Sequence, residues 1–67
     1  MDELYRQAQL VRKGIKMYGG SFMVALGDAM DYADNNNLAK ICCTWNDEWN
    51  QYLKMGSLVA SRESQDE

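Results

Sequence analysis

The chain has 67 residues, a net charge of −3, two cysteines and no histidine or proline. A chain of this length forms at most one domain. Histidine is the most common general base and zinc ligand, so its absence excludes metalloprotease helices, Ser-His-Asp triads and Cys-His pairs within this chain. We therefore expect a protein that is not an enzyme and that binds neither a metal nor a cofactor.

Glycine and asparagine residues divide the chain into three segments of helical length, at about 2–18, 21–35 and 37–55. Gly19-Gly20 separates the first two, the run Asn35-Asn36-Asn37 separates the next two, and Gly56 is a natural end for the last. The expected fold is all-α, with three short helices bundled in residues 1–56. Residues 57–67 are expected to form a disordered or loosely docked acidic tail.

The first segment predicts a helix with two adjoining apolar stripes. At 100° per residue the first stripe spans about 80°. Its members are Leu4, Ala8, Val11, Ile15 and Tyr18. The second stripe consists of Leu10, Gly14 and Met17, so we expect this helix to touch two neighbours. Glycine costs about 1 kcal/mol of helix propensity relative to alanine, and close approach of another backbone is a physical reason to keep Gly14.

The opposite side of this helix carries a basic ridge formed by Arg6, Arg12, Lys13 and Lys16. Such a ridge can contact nucleic-acid phosphates. A surface helix face has to be polar in any case, and the chain is acidic overall. Both interpretations of the ridge therefore stay open at this point.

In the second segment, Ser21 is expected to cap the helix and one narrow face to reach the core. That face contains Phe22, Leu26, Ala29 and Ala33, with Ala25 and Met30 beside it. Asp28, Asp31 and Asp34 recur every three residues and form an acidic ridge. The ridge is either a solvated face or an acidic contact surface that imitates the spacing of phosphates.

The third segment has the heaviest apolar stripe, and Asn36 or Asn37 is expected to cap it. The stripe contains Leu38, Ile41, Cys42, Trp45, Trp49, Tyr52 and Leu53. Its rings either form the core or leave an apolar patch for a partner. Cys42 and Cys43 are adjacent and cannot form an ordinary disulfide on a helix, so we expect Cys42 to fill a core gap and Cys43 to be partly exposed.

Several of these residues together resemble a set of short helical proteins from phages and other mobile elements. The resemblance covers about residues 5–55 and rests on Ser21-Phe22, Ala25-Leu26-Gly27, Ala29-Met30, Ala33-Asp34, Asn37, Ile41, Trp45, Trp49 and Tyr52. It implies a phage origin and a location in the cytoplasm of the bacterial host, and it implies no particular activity. The related proteins often have a proline before the first aromatic residue of the last helix, and residues 43–48 here have none.

No secretory signal or membrane span is expected. Residues Met1-Asp2-Glu3 are acidic and precede no apolar run, and the longest apolar stretch, Phe22 to Leu26, is far too short to cross a bilayer. We therefore expect a cytoplasmic protein without a membrane partner.

These features favour a small interaction module that self-associates, with a dimer favoured, and that binds or blocks a host protein. A short chain buries little surface, so self-association is expected to add stability. The expected apolar interface is Leu10, Gly14, Met17, Trp45, Trp49 and Tyr52. The alternatives are a nucleic-acid-associated protein that uses Arg6, Arg12, Lys13 and Lys16, or a phosphate mimic that uses Asp28, Asp31 and Asp34.

Overall fold

The computed structural model describes residues 3–65, with side chains for residues 3–63, and consists of four α-helices with no strand in this range. The helices are α1 (Glu3–Tyr18), α2 (Ser21–Tyr32), α3 (Asn35–Thr44) and α4 (Asn46–Gln65). The predicted all-α class is confirmed, and the predicted number of three helices is wrong. The expected helical start at Asp2 and the tail residues Asp66 and Glu67 lie outside the described residues.

Two glycines allow α1 and α4 to pack backbone against backbone. A Cβ atom added to Gly14 would lie 2.5 Å from the carbonyl oxygen of Tyr52 and 3.0 Å from the amide nitrogen of Gly56. A Cβ atom added to Gly56 would overlap the carbonyl group of Leu10. The close approach predicted at Gly14 is therefore confirmed, and α4 is the helix that approaches.

The predicted end of the last helix at Gly56 is wrong. Gly56 lies in the interior of α4 and is buried against α1, so it serves close packing instead of ending the helix. The segment predicted as a disordered or loosely docked tail is part of α4 as far as Gln65. Val59 in this segment is buried.

The junction between α2 and α3 also differs from prediction, because α2 ends at Tyr32 and α3 begins at Asn35. The side chain of Asp34 accepts a hydrogen bond of 2.8 Å from the amide of Asn37 and caps α3. A carboxylate at this position also matches the positive end of the helix dipole. The cap is therefore Asp34 instead of Asn36 or Asn37, and the asparagines form the first turn of α3.

The third predicted helix is interrupted at Trp45, whose φ and ψ of −112° and 51° are not helical. Trp45 donates its amide to the carbonyl of Ile41 (3.0 Å) and accepts from the amide of Trp49 (2.8 Å). Trp45 is therefore the residue at which α3 ends and from which the hydrogen bonding of α4 begins. Asp47 and Glu48 follow in the first turn of α4, where the helix dipole favours negative charge.

The face of α2 that reaches the core matches the predicted one only in part. The buried residues of α2 are Met23, Gly27 and Met30. Of the residues predicted on or beside the inward face, Met30 is buried, Leu26 and Ala33 are half-buried against the core, and Phe22, Ala25 and Ala29 are exposed. A Cβ atom at Gly27 would lie in ordinary contact with Ile15, 3.6 Å away, so this face of α2 fits against α1. The predicted cap is also displaced, because Gly20 is the N-cap and Ser21 is already helical.

The core is a single cluster to which all four helices contribute. Its buried members are Ala8, Val11, Ile15, Met23, Met30, Leu38, Trp49 and Tyr52. Trp49 is 2% exposed, and its indole N–H donates to Oε1 of Gln7 at 3.1 Å, so this buried donor is satisfied. Among the described side chains, no buried nitrogen or oxygen atom lacks a hydrogen-bond partner.

The helix packing predicts effects of different size for two glycine substitutions. Gly56→Ala should lower the free energy of unfolding by about 2 kcal/mol or more, because overlap with a backbone carbonyl exceeds the gain of about 1 kcal/mol in helix propensity. Urea denaturation monitored by tryptophan fluorescence measures this change.

Gly20→Ala is the matched control, since a Cβ atom there meets nothing within 4 Å and the backbone is extended. It should change the free energy of unfolding by less than about 1 kcal/mol. Equal effects of the two substitutions would contradict the close packing at Gly56.

Candidate interaction surfaces

Three of the four cations in the predicted basic ridge form ion pairs, and two of these, Arg6 and Lys13, pair with glutamates. Arg6 Nη2 lies 2.6 Å from Oε2 of Glu3. The hydrogen bond between them is the main reason that the pKa of Glu3 is lowered and the pKa of Arg6 is raised. Lys13 Nζ lies 2.5 Å from Oε1 of Glu63 near the end of α4. Neither cation is therefore a free charge on α1.

Arg12 connects α1 to α2. Its Nε donates to the carbonyl oxygen of Gly27 at 3.0 Å, and its Nη1 lies 2.7 Å from Oδ1 of Asp31. Lys16 is the remaining member of the ridge, and it is exposed without an ion pair among the described side chains. Within the described residues, the predicted ridge therefore offers one unpaired cation.

The three aspartates predicted as an acidic ridge have three different roles. Asp31 pairs with Arg12. Asp34 lies beyond the end of α2 and caps α3. Asp28 is exposed on α2 and forms no ion pair with a described residue. The three carboxylates are therefore not a row of free charges on one helix.

An open groove of about 560 Å³ lies between α1 and α2. Its walls mix polar and apolar side chains, which are Gln9, Arg12, Lys13, Ile15, Lys16, Val24, Gly27 and Asp28. Two of its three cations, Arg12 and Lys13, are held by carboxylates of other helices. The groove therefore presents only one cation, Lys16, without a described ion-pair partner.

The six residues predicted as an apolar interface divide into two groups. Those buried within the chain are Gly14, Trp49 and Tyr52. Those with accessible surface are Met17, which is 58% exposed, and the half-buried Leu10 and Trp45. The first group forms the packing of α4 on α1 and in the core, so its side chains are not accessible at the surface.

An apolar face of α2 is left exposed by the part of the chain that the structure describes. We call it the outer α2 surface, and it consists of Phe22, Ala25, Ala29 and Tyr32, all exposed. Positions three and four apart share one face of a helix, so these residues form a continuous stripe. Phe22 is 58% exposed and Tyr32 is 91% exposed. The ring of Trp45 lies beside the stripe, with its centroid 6.0 Å from that of Phe22 and the planes tilted by 57°.

Sequence reasoning missed this surface because it assigned Phe22 and Ala29 to the core and gave Tyr32 no role. A signal was present in the sequence. Helix α2 is apolar on two sides, with Met23, Gly27 and Met30 on one and the outer α2 surface on the other. A helix that is apolar on both sides needs a covering partner for each.

The two thiols occupy different environments, as predicted. Cys42 packs against the core and is half-buried, whereas Cys43 is exposed. Burial, with a smaller contribution from the neighbouring Cys43, raises the pKa of Cys42. Cys42 therefore forms less thiolate at neutral pH than an ordinary cysteine does.

Two kinds of site are not found in the part of the chain that the structure describes. No group of three or more cysteine, aspartate or glutamate side chains there is placed to hold a metal ion. No helix there has the length and apolarity needed to cross a membrane.

Comparison of the chain with protein-family models, with curated proteins and with solved structures gives no match. The similarity to phage proteins stays a prediction, and function has to be argued from the surfaces described above.

The difference between the thiols predicts their order of alkylation. With iodoacetamide at about pH 8, Cys43 should react several times faster than Cys42, because the thiolate is the nucleophile and Cys43 is exposed. Tandem mass spectrometry of the singly alkylated protein locates the label. Raising the pH should accelerate labelling of Cys42, and equal initial labelling of both thiols would contradict the assignment.

Proposed function

We propose that the protein is a non-enzymatic protein–protein interaction module that self-associates through the outer α2 surface. The observation that supports this proposal is the exposure of a continuous apolar stripe with a ring at each end, Phe22 and Tyr32. A contiguous exposed apolar stripe on a protein of this size favours an interface at that face. The chain has no other described element to cover it.

The size of the surface favours weak association. From Phe22 to Tyr32 the stripe rises about 15 Å along the helix and is about 10 Å wide. Met17 and Tyr18, which precede α2 in sequence, are also exposed, at 58% and 51%, and even with them the apolar area is limited. This total is small beside the roughly 800 Å² per partner of a standard stable interface, so we expect association that depends on concentration.

The charge-based alternatives have less support. Three of the four ridge cations and two of the three aspartates are engaged within the chain. A nucleic-acid surface or a phosphate mimic would have to break these contacts before it could bind a partner. Binding or blocking of a host protein stays a proposal, for which the outer α2 surface is the available contact area.

Analytical ultracentrifugation over a concentration series tests the proposal. The wild-type protein should shift from monomer toward a larger species as the concentration rises. Ala29→Glu should weaken this association at least about tenfold, because a charge in the middle of the apolar stripe would be desolvated without a partner.

Gln51→Glu is the matched control, since it adds one negative charge at an exposed position of α4 away from the stripe. It should associate as the wild-type protein does. Monomeric wild-type protein at millimolar concentration, or equal association of the Ala29→Glu and wild-type proteins, would overturn the proposal.

A further inference from the structure

The residues of the outer α2 surface are arranged symmetrically along the helix. Phe22 and Tyr32 lie five residues before and after position 27, and Ala25 and Ala29 lie two residues before and after it. Rings therefore occupy the two ends and small side chains the middle. The stripe has the same pattern of large and small residues in both directions.

We infer that two copies of this chain pack their α2 helices against each other in antiparallel orientation, an inference that rests on the self-association proposed above. The two-fold axis of the pair crosses the helices at the level of Gly27. In this arrangement Phe22 contacts the partner's Tyr32 at each end, and Ala25 contacts the partner's Ala29 between them. A two-fold interface joins the same patch on both copies, so the patch has to complement itself. The symmetric spacing meets that requirement.

The two ends of the stripe differ in a way that favours the antiparallel arrangement over the parallel one. At the first end, Phe22 already has the ring of Trp45 beside it. At the other end, Tyr32 is 91% exposed and protrudes from the chain. Antiparallel packing places the protruding ring against the Phe22 and Trp45 rings, where tilted aromatic contacts are favourable. Parallel packing would bring the two crowded ends together and align the helix dipoles unfavourably.

The middle of the stripe allows the helices to approach. Ala25 and Ala29 are small and exposed, so two copies of α2 can pack closely there. Gly27 lies on the other side of the helix against Ile15 and takes no part in the contact. The contact therefore leaves the packing of α2 on α1 unchanged.

Mixed cysteine crosslinking tests the geometry in the full chain. Phe22→Cys and Tyr32→Cys are made as two separate proteins, each with Cys42→Ala and Cys43→Ser to remove the native thiols. Each variant by itself, and a mixture of the two, is then oxidised with glutathione disulfide. The mixture should give at least tenfold more crosslinked dimer than either variant alone. In the antiparallel pair, position 22 faces the partner's position 32, whereas the two copies of position 22 are about 15 Å apart, too far for a disulfide.

A second pair, Ala25→Cys with Ala29→Cys, tests contact in the middle of the stripe with both rings kept. The two copies of position 25 would be only about 6 Å apart along the helix, so this pair reports contact, and the first pair reports orientation. Crosslinking by Phe22→Cys alone would overturn the antiparallel geometry in favour of a parallel one. No crosslinking in either mixture, while the wild-type protein associates and Ala29→Glu does not, would overturn this inference and leave the proposed function standing. Monomeric wild-type protein would overturn both.

Discussion

At the contact between α1 and α4, Gly14 and Gly56 bring two backbones together with no side chain between them. The Cα hydrogen that a side chain would replace at Gly56 points at the carbonyl group of Leu10, an arrangement that recurs where helices pack closely. Trp49 and Tyr52 lie about two turns and one turn earlier on α4, so the close contact holds them in the core. The packing of the aromatic core thus depends on two residues that have no side chains.

Helix α1 contacts each of the other three helices and buries Ala8, Val11, Gly14 and Ile15 among them. Arg12 of α1 forms an ion pair with Asp31 of α2, and Lys13 forms one with Glu63 in the last turns of α4. Helix α2 packs on α1 with one side, and among the described residues the other side stays exposed apart from the ring of Trp45 beside Phe22. The same packing that pairs the cations of α1 therefore leaves an apolar face of α2 as the most distinctive feature of the surface.

The sequence alone predicted the all-α class from helical periodicity, and it predicted the close approach of a backbone at Gly14 from the cost of a glycine inside a helix. The role of Gly56 was not predictable, because a glycine ends a helix as readily as it admits a neighbour, and only the position of α1 decides between these roles. The outer α2 surface was missed for a similar reason. Either apolar side of α2 can fill a core, and the fit of Gly27 against Ile15 decides which one does.

Nuclear magnetic resonance of the isotopically labelled full chain tests the contact between α1 and α4 most directly. The packing of α4 on α1 predicts a nuclear Overhauser effect between an α hydrogen of Gly14 and the amide hydrogen of Gly56, together with helical contacts that continue through Gly56 toward Gln65. A helix that ends at Gly56, with no contact between the two glycines, would contradict it.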